Sequence, residues 1–210
     1  MKKRMTICLL LLGTLLQPID VKANDNFNHN AGFQKFISEI DIDISIDKEY
    51  YTIKNHNGFK SYMSYKKITD ESSNQYKLQQ NSETNENGFR IYNNRYCVAI
   101  GTAFNADIGQ MFDVELKNGT IIPCIVSDIK ANCDTDKTNT FTSQGCCLEF
   151  IVDTNNLDKN AKTMGDCSYL CEEWQSPCSQ YIIYNITIIT KESGEEWKWM
   201  SENVSISIKT

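Results

Sequence analysis

YCVAIGTAFNADIGQMFDVELKNGTIIPCIVSDIKANCDTDKTNTFTSQGCCLEFIVD, residues 96–153, is the stretch whose reading decides the fold. Arg95 to Ile100 is preceded by Asn93-Asn94 and by Gly88 to Tyr92, which predicts a hairpin, because Asn tolerates the left-handed conformation a two-residue turn requires. Gly101 to Ile108 is expected to be a loop. Gln110 to Leu116 places Phe112, Val114 and Leu116 on one face of a strand. Asn118-Gly119 then turns that strand into a second, Ile121 to Ser127, and is the strongest turn signal in the chain. Asn132 to Gly145 is a long polar loop, and Leu148 to Val152 is another strand. Two apolar strands therefore end in or carry acids: Ile121–Ser127 runs into Asp128, while Leu148–Val152 carries Glu149 and ends at Asp153.

Outward toward the N-terminus, Gln79 to Asn87 has no apolar residue and is expected to be a linker, so a boundary is placed near Gly88. Lys66 to Leu78 is polar, and the spacing of Phe59, Tyr62, Met63 and Tyr65 is too irregular to assign. Ile40, Ile42, Ile44 and Ile46 alternate with polar residues, which predicts a half-buried strand over 40–46 that continues toward Ile53. The period of two favours a solvated face for Asp41, Asp43 and Asp47 over a calcium loop, whose central Gly and terminal Glu are out of register. Residues 24–32 are Asn-rich and expected to be disordered. Lys2, Lys3 and Arg4 followed by the apolar run Met5 to Leu16 resemble a signal peptide, with cleavage expected after Ala23 in Val21-Lys22-Ala23; an uncleaved anchor is the alternative. A secreted or cell-surface chain without a transmembrane segment follows.

The net charge is −6, and the leader carries four basic residues and one acid, so the mature chain stands at about −9. Such a surface is unsuited to nucleic acid, whose binding rests on Lys and Arg contacts to phosphate. A neutral polymer or small ligand fits better. Cys8 lies in the leader, which leaves Cys97, Cys124, Cys133, Cys146, Cys147, Cys167, Cys171 and Cys178. An even number in an exported chain makes these disulfide candidates, with free thiols as the alternative. Metal is the least favoured reading: the spacings lack tight CxxC pairs, and His29 and His56 lie far away in the extension. No metal and no cofactor are expected.

Beyond Asp153, Leu157 to Met164 is a short helix capped by Asn155 or Asn156, and Cys167 to Cys178 is a loop. Tyr181 to Thr190 is a clear β run, Trp197 to Met200 follows the turn at Gly194, and Val204, Ile206 and Ile208 alternate in a last strand. Short strands, frequent turns and few helices predict a mainly β fold, a small barrel or sandwich. The Asn118, Asn185 and Asn203 sequons are taken as turn and strand residues that match the acceptor pattern by chance.

Carboxyl groups cleave glycosidic bonds as proton donors and acceptors. One acid suffices when the substrate's own hydroxyl attacks, because the same group acts as acid and as base. Such an acid sits in a cleft, desolvated enough to raise its pKa. Asp128, backed by Ile121, Ile122, Ile125 and Val126 and opening on a polar loop, has that setting; its bland alternative is a surface turn-former. Glu149 faces opposite to Leu148 and Phe150 by alternation, and Lys130 is placed to tune a neighbouring acid or bind a substrate oxygen. Asp128, Asp134 and Asp136 form a loose alternative set for a hard metal ion. No GxSxG motif occurs and no His follows His56, so a Ser–His or Cys–His nucleophile is not expected.

VAIGTAFNADIGQMFDVELKNGTIIPCIVSDIKA followed by LEFIVDT resembles the double-psi β-barrels of the three-aspartate type, found in membrane-bound lytic transglycosylases of the A class, firmicute resuscitation-factor-like proteins and rare-lipoprotein-A-like proteins. Ala106 to Phe112 looks like the family's Gly-Thr turn element, Val126-Ser127-Asp128 the strand leading to its first aspartate, and Leu148-Glu149-Phe150 its Ile-Asp strand with Glu for Asp. The likeness covers roughly residues 58–184. After Asp128 this chain has Ile-Lys-Ala where the family has Thr-Gly-Gly, and the loop to Glu149 is longer. With the signal peptide read at 1–23 and the polar extension at 24–87, the resemblance implies a six-stranded double-psi barrel with C-terminal strands at 88–210. It further implies a cell-wall protein that cleaves peptidoglycan or another wall glycan without water. Asp128 would be the acid, Glu149 would orient it, and Lys130 and Tyr96 would contact the glycan. A non-catalytic, disulfide-stabilised envelope module is the alternative, and a Cys-rich metal protein a third.

Overall fold

Strand β5 (Arg95–Ile100) has three strand neighbours, and the rest of the sheet is arranged about it. The computed structural model describes residues 42–54, 57–146, 148–190 and 196–198. Within them the chain is mainly β, with ten strands in one mixed sheet, two short α-helices and several single 3₁₀ turns. The other strands are β1 (Ile42–Thr52), β2 (Ser61–Ser64), β3 (Glu83–Thr84), β4 (Arg90–Tyr92), β6 (Met111–Leu116), β7 (Ile121–Ile129), β8 (Glu149–Val152), β9 (Cys178–Thr190) and β10 (Glu196–Lys198). The order is β1-β9-β6-β7-β5-β4-β3, with β8 also on β5, β2 on β8 and β10 on β9. Among the described strand pairings the sheet does not close on itself.

The turn chemistry explains the hairpins. Asn93 and Asn94 take positive φ of 49° and 58° between β4 and β5, as a two-residue turn that matches strand twist demands. Gly119, at φ 86°, turns β6 into β7. Two parallel pairs, β5 with β7 and β2 with β8, tie distant parts of the chain together. A long antiparallel ribbon of β1 on β9 runs along the far side. The strand expected over 40–46 is this β1, which extends to Thr52; residues 40–41 and the strand expected around Val204–Ile208 lie outside the described residues.

Both sides of the central sheet carry apolar side chains. Phe112, Val114 and Leu116 face one core, as their alternation predicts, with Val98, Ile100, Cys124, Val126, Phe150, Val152 and Tyr181. Cys97, Ala99, Ile125 and Ile151 point the other way, under helix α1 (Asn74–Gln80) and its Leu78. Continuous apolar runs such as YCVAI follow from burial on two faces.

The segment expected to be a polar extension contributes to this sheet. β2 lies beside β8, and α1, where no helix was expected, covers the second core. The helix starts at Ser73, whose hydroxyl accepts from the Tyr76 N–H. The second helix, α2 (Lys159–Met164), is capped by Asp158 rather than by Asn155 or Asn156. Seven cysteines, Cys97, Cys124, Cys133, Cys146, Cys167, Cys171 and Cys178, are free thiols, so the expected bridges are not formed among them; Cys147 lies outside the described residues. The reason is geometric in part: Cys97 and Cys124 sit on adjacent strands but face opposite cores, where each packs as a small apolar side chain.

Candidate functional site

Ala99 on β5 has Asp128 of β7 as its register partner on one side and Glu149 of β8 on the other. Directly opposed residues share a sheet face, so the two acids flank one methyl group, about 10 Å apart at their Cα atoms. A β-bulge sets this up. Val126 pairs with Val98 and Asp128 with Ala99, so Ser127 is the extra residue in β7. Without it Asp128 would follow Val126 into the first core; the bulge turns it to the side of α1. Ile129, next in line, resumes the first-core face beside Ile100.

Helix α1 meets the bulge with residues one turn apart. Gln75 hydrogen-bonds the Asp128 carboxylate, and Gln79 Nε2 donates to Ser127 Oγ at 2.5 Å. Gln79 Oε1 in turn accepts from Arg90 Nε at 3.1 Å, and Arg90 also donates to the carbonyls of Gln79 and Ser82, which locks the end of α1 onto β4. On the other side Lys130 Nζ pairs with Glu149 Oε2 at 2.5 Å, and Ser61 Oγ donates to Glu149 Oε1 at 3.3 Å. Both members of the ion pair are largely shielded from solvent, with side chains 15% and 13% exposed.

Burial pushes the Asp128 carboxyl above the usual aspartate range. The Ile129 N–H, the Lys130 ammonium and Gln75 pull it part of the way back, and the Glu149 charge pushes it further up. The half-buried Asp128 is thus an acid that holds its proton more tightly than a free aspartate, beside the Lys130–Glu149 ion pair. A desolvated acid in that setting suits proton donation.

The structure brings Asp128, Glu149 and Lys130 together and leaves Tyr96 out. Tyr96 lies on the opposite face of β5, in an aromatic cluster with Phe89, Phe150 and Trp174, where Phe150 and Trp174 stack at 5.2 Å between ring centroids. Burial raises its phenol pKa, as befits a packing residue. Ser61, Gln75 and Gln79 are the site residues that sequence reasoning missed. Ser73, a Ser followed by a run of helix formers, was the available signal for the last two; nothing local marks Ser61. The alternative metal set loses Asp136, whose carboxylate accepts from Thr138 Oγ1 at 2.7 Å and from the N–H groups of Thr140 and Phe141. Among the described residues no group of three Asp, Glu, Cys or His is arranged to hold a metal ion.

A second fixed element lies at the entry to β2. Lys60 is fully buried, and its ammonium donates to the carbonyls of Gly58, Trp174 and Ser176 at 2.9, 2.5 and 3.0 Å. Gly58 packs so closely that a Cβ would come within 2.2 Å of the Gln175 carbonyl oxygen. The chain entering β2, and with it Ser61, is therefore clamped to the loop before β9. No family model, curated protein or solved structure matches this chain.

Proposed function

We propose that this is a secreted cell-wall protein that cleaves a wall glycan such as peptidoglycan without water, in the manner of a lytic transglycosylase, on a double-psi barrel. The observation that carries the reading is the pair Asp128 and Glu149 flanking Ala99 on one face, with Lys130 ion-paired to Glu149. The parallel pairs of β5 with β7 and β2 with β8, interlocked through β8 on β5, support the barrel.

In the proposed step the protonated Asp128 gives its proton to the glycosidic oxygen as the bond to C1 breaks. The leaving sugar departs as an alcohol. The Asp128 carboxylate then takes the proton of the C6 hydroxyl, whose oxygen closes on C1 to form the 1,6-anhydro ring. Atoms balance within the substrate, and the enzyme ends as it began. Glu149, held in place by Lys130 and Ser61, stabilises positive charge developing at C1.

Incubating the purified protein with peptidoglycan and analysing the soluble products by mass spectrometry tests this. Anhydro-muropeptides that disappear with Asp128→Asn are expected. Equal release by wild type and variant, or none by either, would sink the reading. The second reading is a non-catalytic wall-binding module. It is favoured by the Lys130–Glu149 pair, which occupies ground beside Asp128, and predicts wall binding that survives Asp128→Asn with no products.

A further inference from the structure

We infer that the loop joining the two acid-bearing strands carries a sugar-binding subsite of its own. The loop leaves β7 after Ile129 and returns at Glu149, and with Asn57 it lines an open pocket of about 490 Å³. That volume falls in the range of small-ligand sites. Asn57, Thr135, Asp136, Lys137, Phe141, Thr142, Ser143 and Gly145 line it. The cavity starts within four residues of both Ser61 and Glu149, so its near wall is no more than about 14 Å along the chain from the Glu149 backbone.

The walls are preformed. Thr135 bridges Thr142, Asp136 N–H donates to the Phe141 carbonyl at 2.8 Å, and Asn139 takes a left-handed φ of 54° to close the turn. The loop also rests on the turn that follows β5: the Ala103 N–H donates to the Asn139 carbonyl at 3.2 Å, and a Cβ on Gly101 would come within 1.9 Å of that oxygen. A site that needs no ordering on binding loses less entropy.

The lining selects the ligand class. Asp136 is committed to the loop, and its hydrogen bonds hold its carboxyl below the usual range, so it is a fixed anion of the wall. Thr142 Oγ1 accepts from the Cys146 N–H at 3.2 Å and keeps its own O–H to donate. With the Ser143 hydroxyl and the ring of Phe141, the cavity offers hydroxyl donors and acceptors and one apolar plane; Asn57 at its edge is held by the Phe59 N–H, which donates to its Oδ1 at 3.1 Å. A pyranose ring presents the complement: equatorial hydroxyls at its edge and C–H groups on its face. The ligand class rests on the glycan reading of Asp128, but binding here needs no chemistry there.

Calorimetric titration of the purified protein with the β-1,4-linked N-acetylglucosamine tetramer tests the subsite. Wild type and Asp128→Asn are expected to bind alike, and Phe141→Ala to bind about tenfold more weakly. Because Phe141 also packs against the core, the exposed pair Lys137→Ala/Ser143→Ala serves as a second variant, with a severalfold loss expected. No heat with wild type, or unchanged affinity in the double variant, overturns the inference. Anhydro products without tetramer binding would remove the subsite and leave the catalytic reading. Tetramer binding without products would do the reverse.

Discussion

At Asp128 burial and neighbouring charge work against each other, and the balance has consequences for rate and for stability. Its raised pKa means the folded state holds the proton to higher pH than the unfolded chain does. Stability contributed by this residue is therefore fullest below the ordinary value of 3.8 and falls as pH rises through the raised folded value. Asp128→Asn removes that cost, so the variant is expected to melt higher than wild type near neutral pH while losing activity; a melting curve at pH 4 and pH 7 checks it. The neighbours give a paired test. Lys130→Met removes a charge that lowers the Asp128 pKa, so the alkaline limb of the pH–rate profile moves to higher pH. Glu149→Gln removes one that raises it, so the limb moves to lower pH. Shifts in the same direction would contradict the geometry. Lys60 carries a different kind of weight. Lys60→Met leaves three partly buried carbonyls without their donor and is expected to cost about 2 kcal/mol, read by denaturant unfolding.

Among the elements, the bulge in β7 and helix α1 act as one device. The bulge aims Asp128, and α1 holds the aim through Gln75 and Gln79. The 130–148 loop is the other element with a testable hold on the site, because it sits against Gly101 with no room for a methyl group. Gly101→Ala is expected to shift this loop and lower glycan turnover severalfold, whereas Gly119→Ala, where a Cβ meets nothing, would show only the strain of its positive φ in the melting temperature. The two hairpins were legible because Asn-Asn and Asn-Gly carry their φ preference locally. β2 and α1 were not. Four residues reading Ser-Tyr-Met-Ser form a strand only because β8 lies parallel to them. A seven-residue polar helix is marginal alone and is kept by Leu78 and the Arg90 bonds.

For the whole molecule, the two-sided core decides the state of the cysteines. Cys97, Cys124, Cys146, Cys167 and Cys178 are buried, and burial raises the thiol pKa of Cys97, Cys124, Cys146 and Cys167, to about 11 at Cys146. In the folded protein iodoacetamide is expected to label exposed Cys133 first and half-buried Cys171 slowly, and to reach those five only in denaturant. Mass spectrometry of the alkylated chain gives the count, and cysteines that stay unlabelled in pairs after full unfolding without reductant would mean bridges instead.

The mainly β character, the central hairpins and the candidacy of Asp128 and Glu149 were determined by the sequence alone, since turn preference and apolar alternation act over a few residues. Alternation even placed Glu149 on the correct face of β8. Tertiary structure decided the rest. A bulge is a mismatch between two strands and cannot be read from one of them, so the direction of Asp128 emerged only when β7 paired with β5. Tyr96 left the site because the parity of β5 sends it, with Val98, into the opposite core. Ser61 and Gln75 joined it because β2 and α1 are brought back from the far side of a polar stretch, across separations of 88 residues to Glu149 and 53 to Asp128 along the chain, where no local rule reaches.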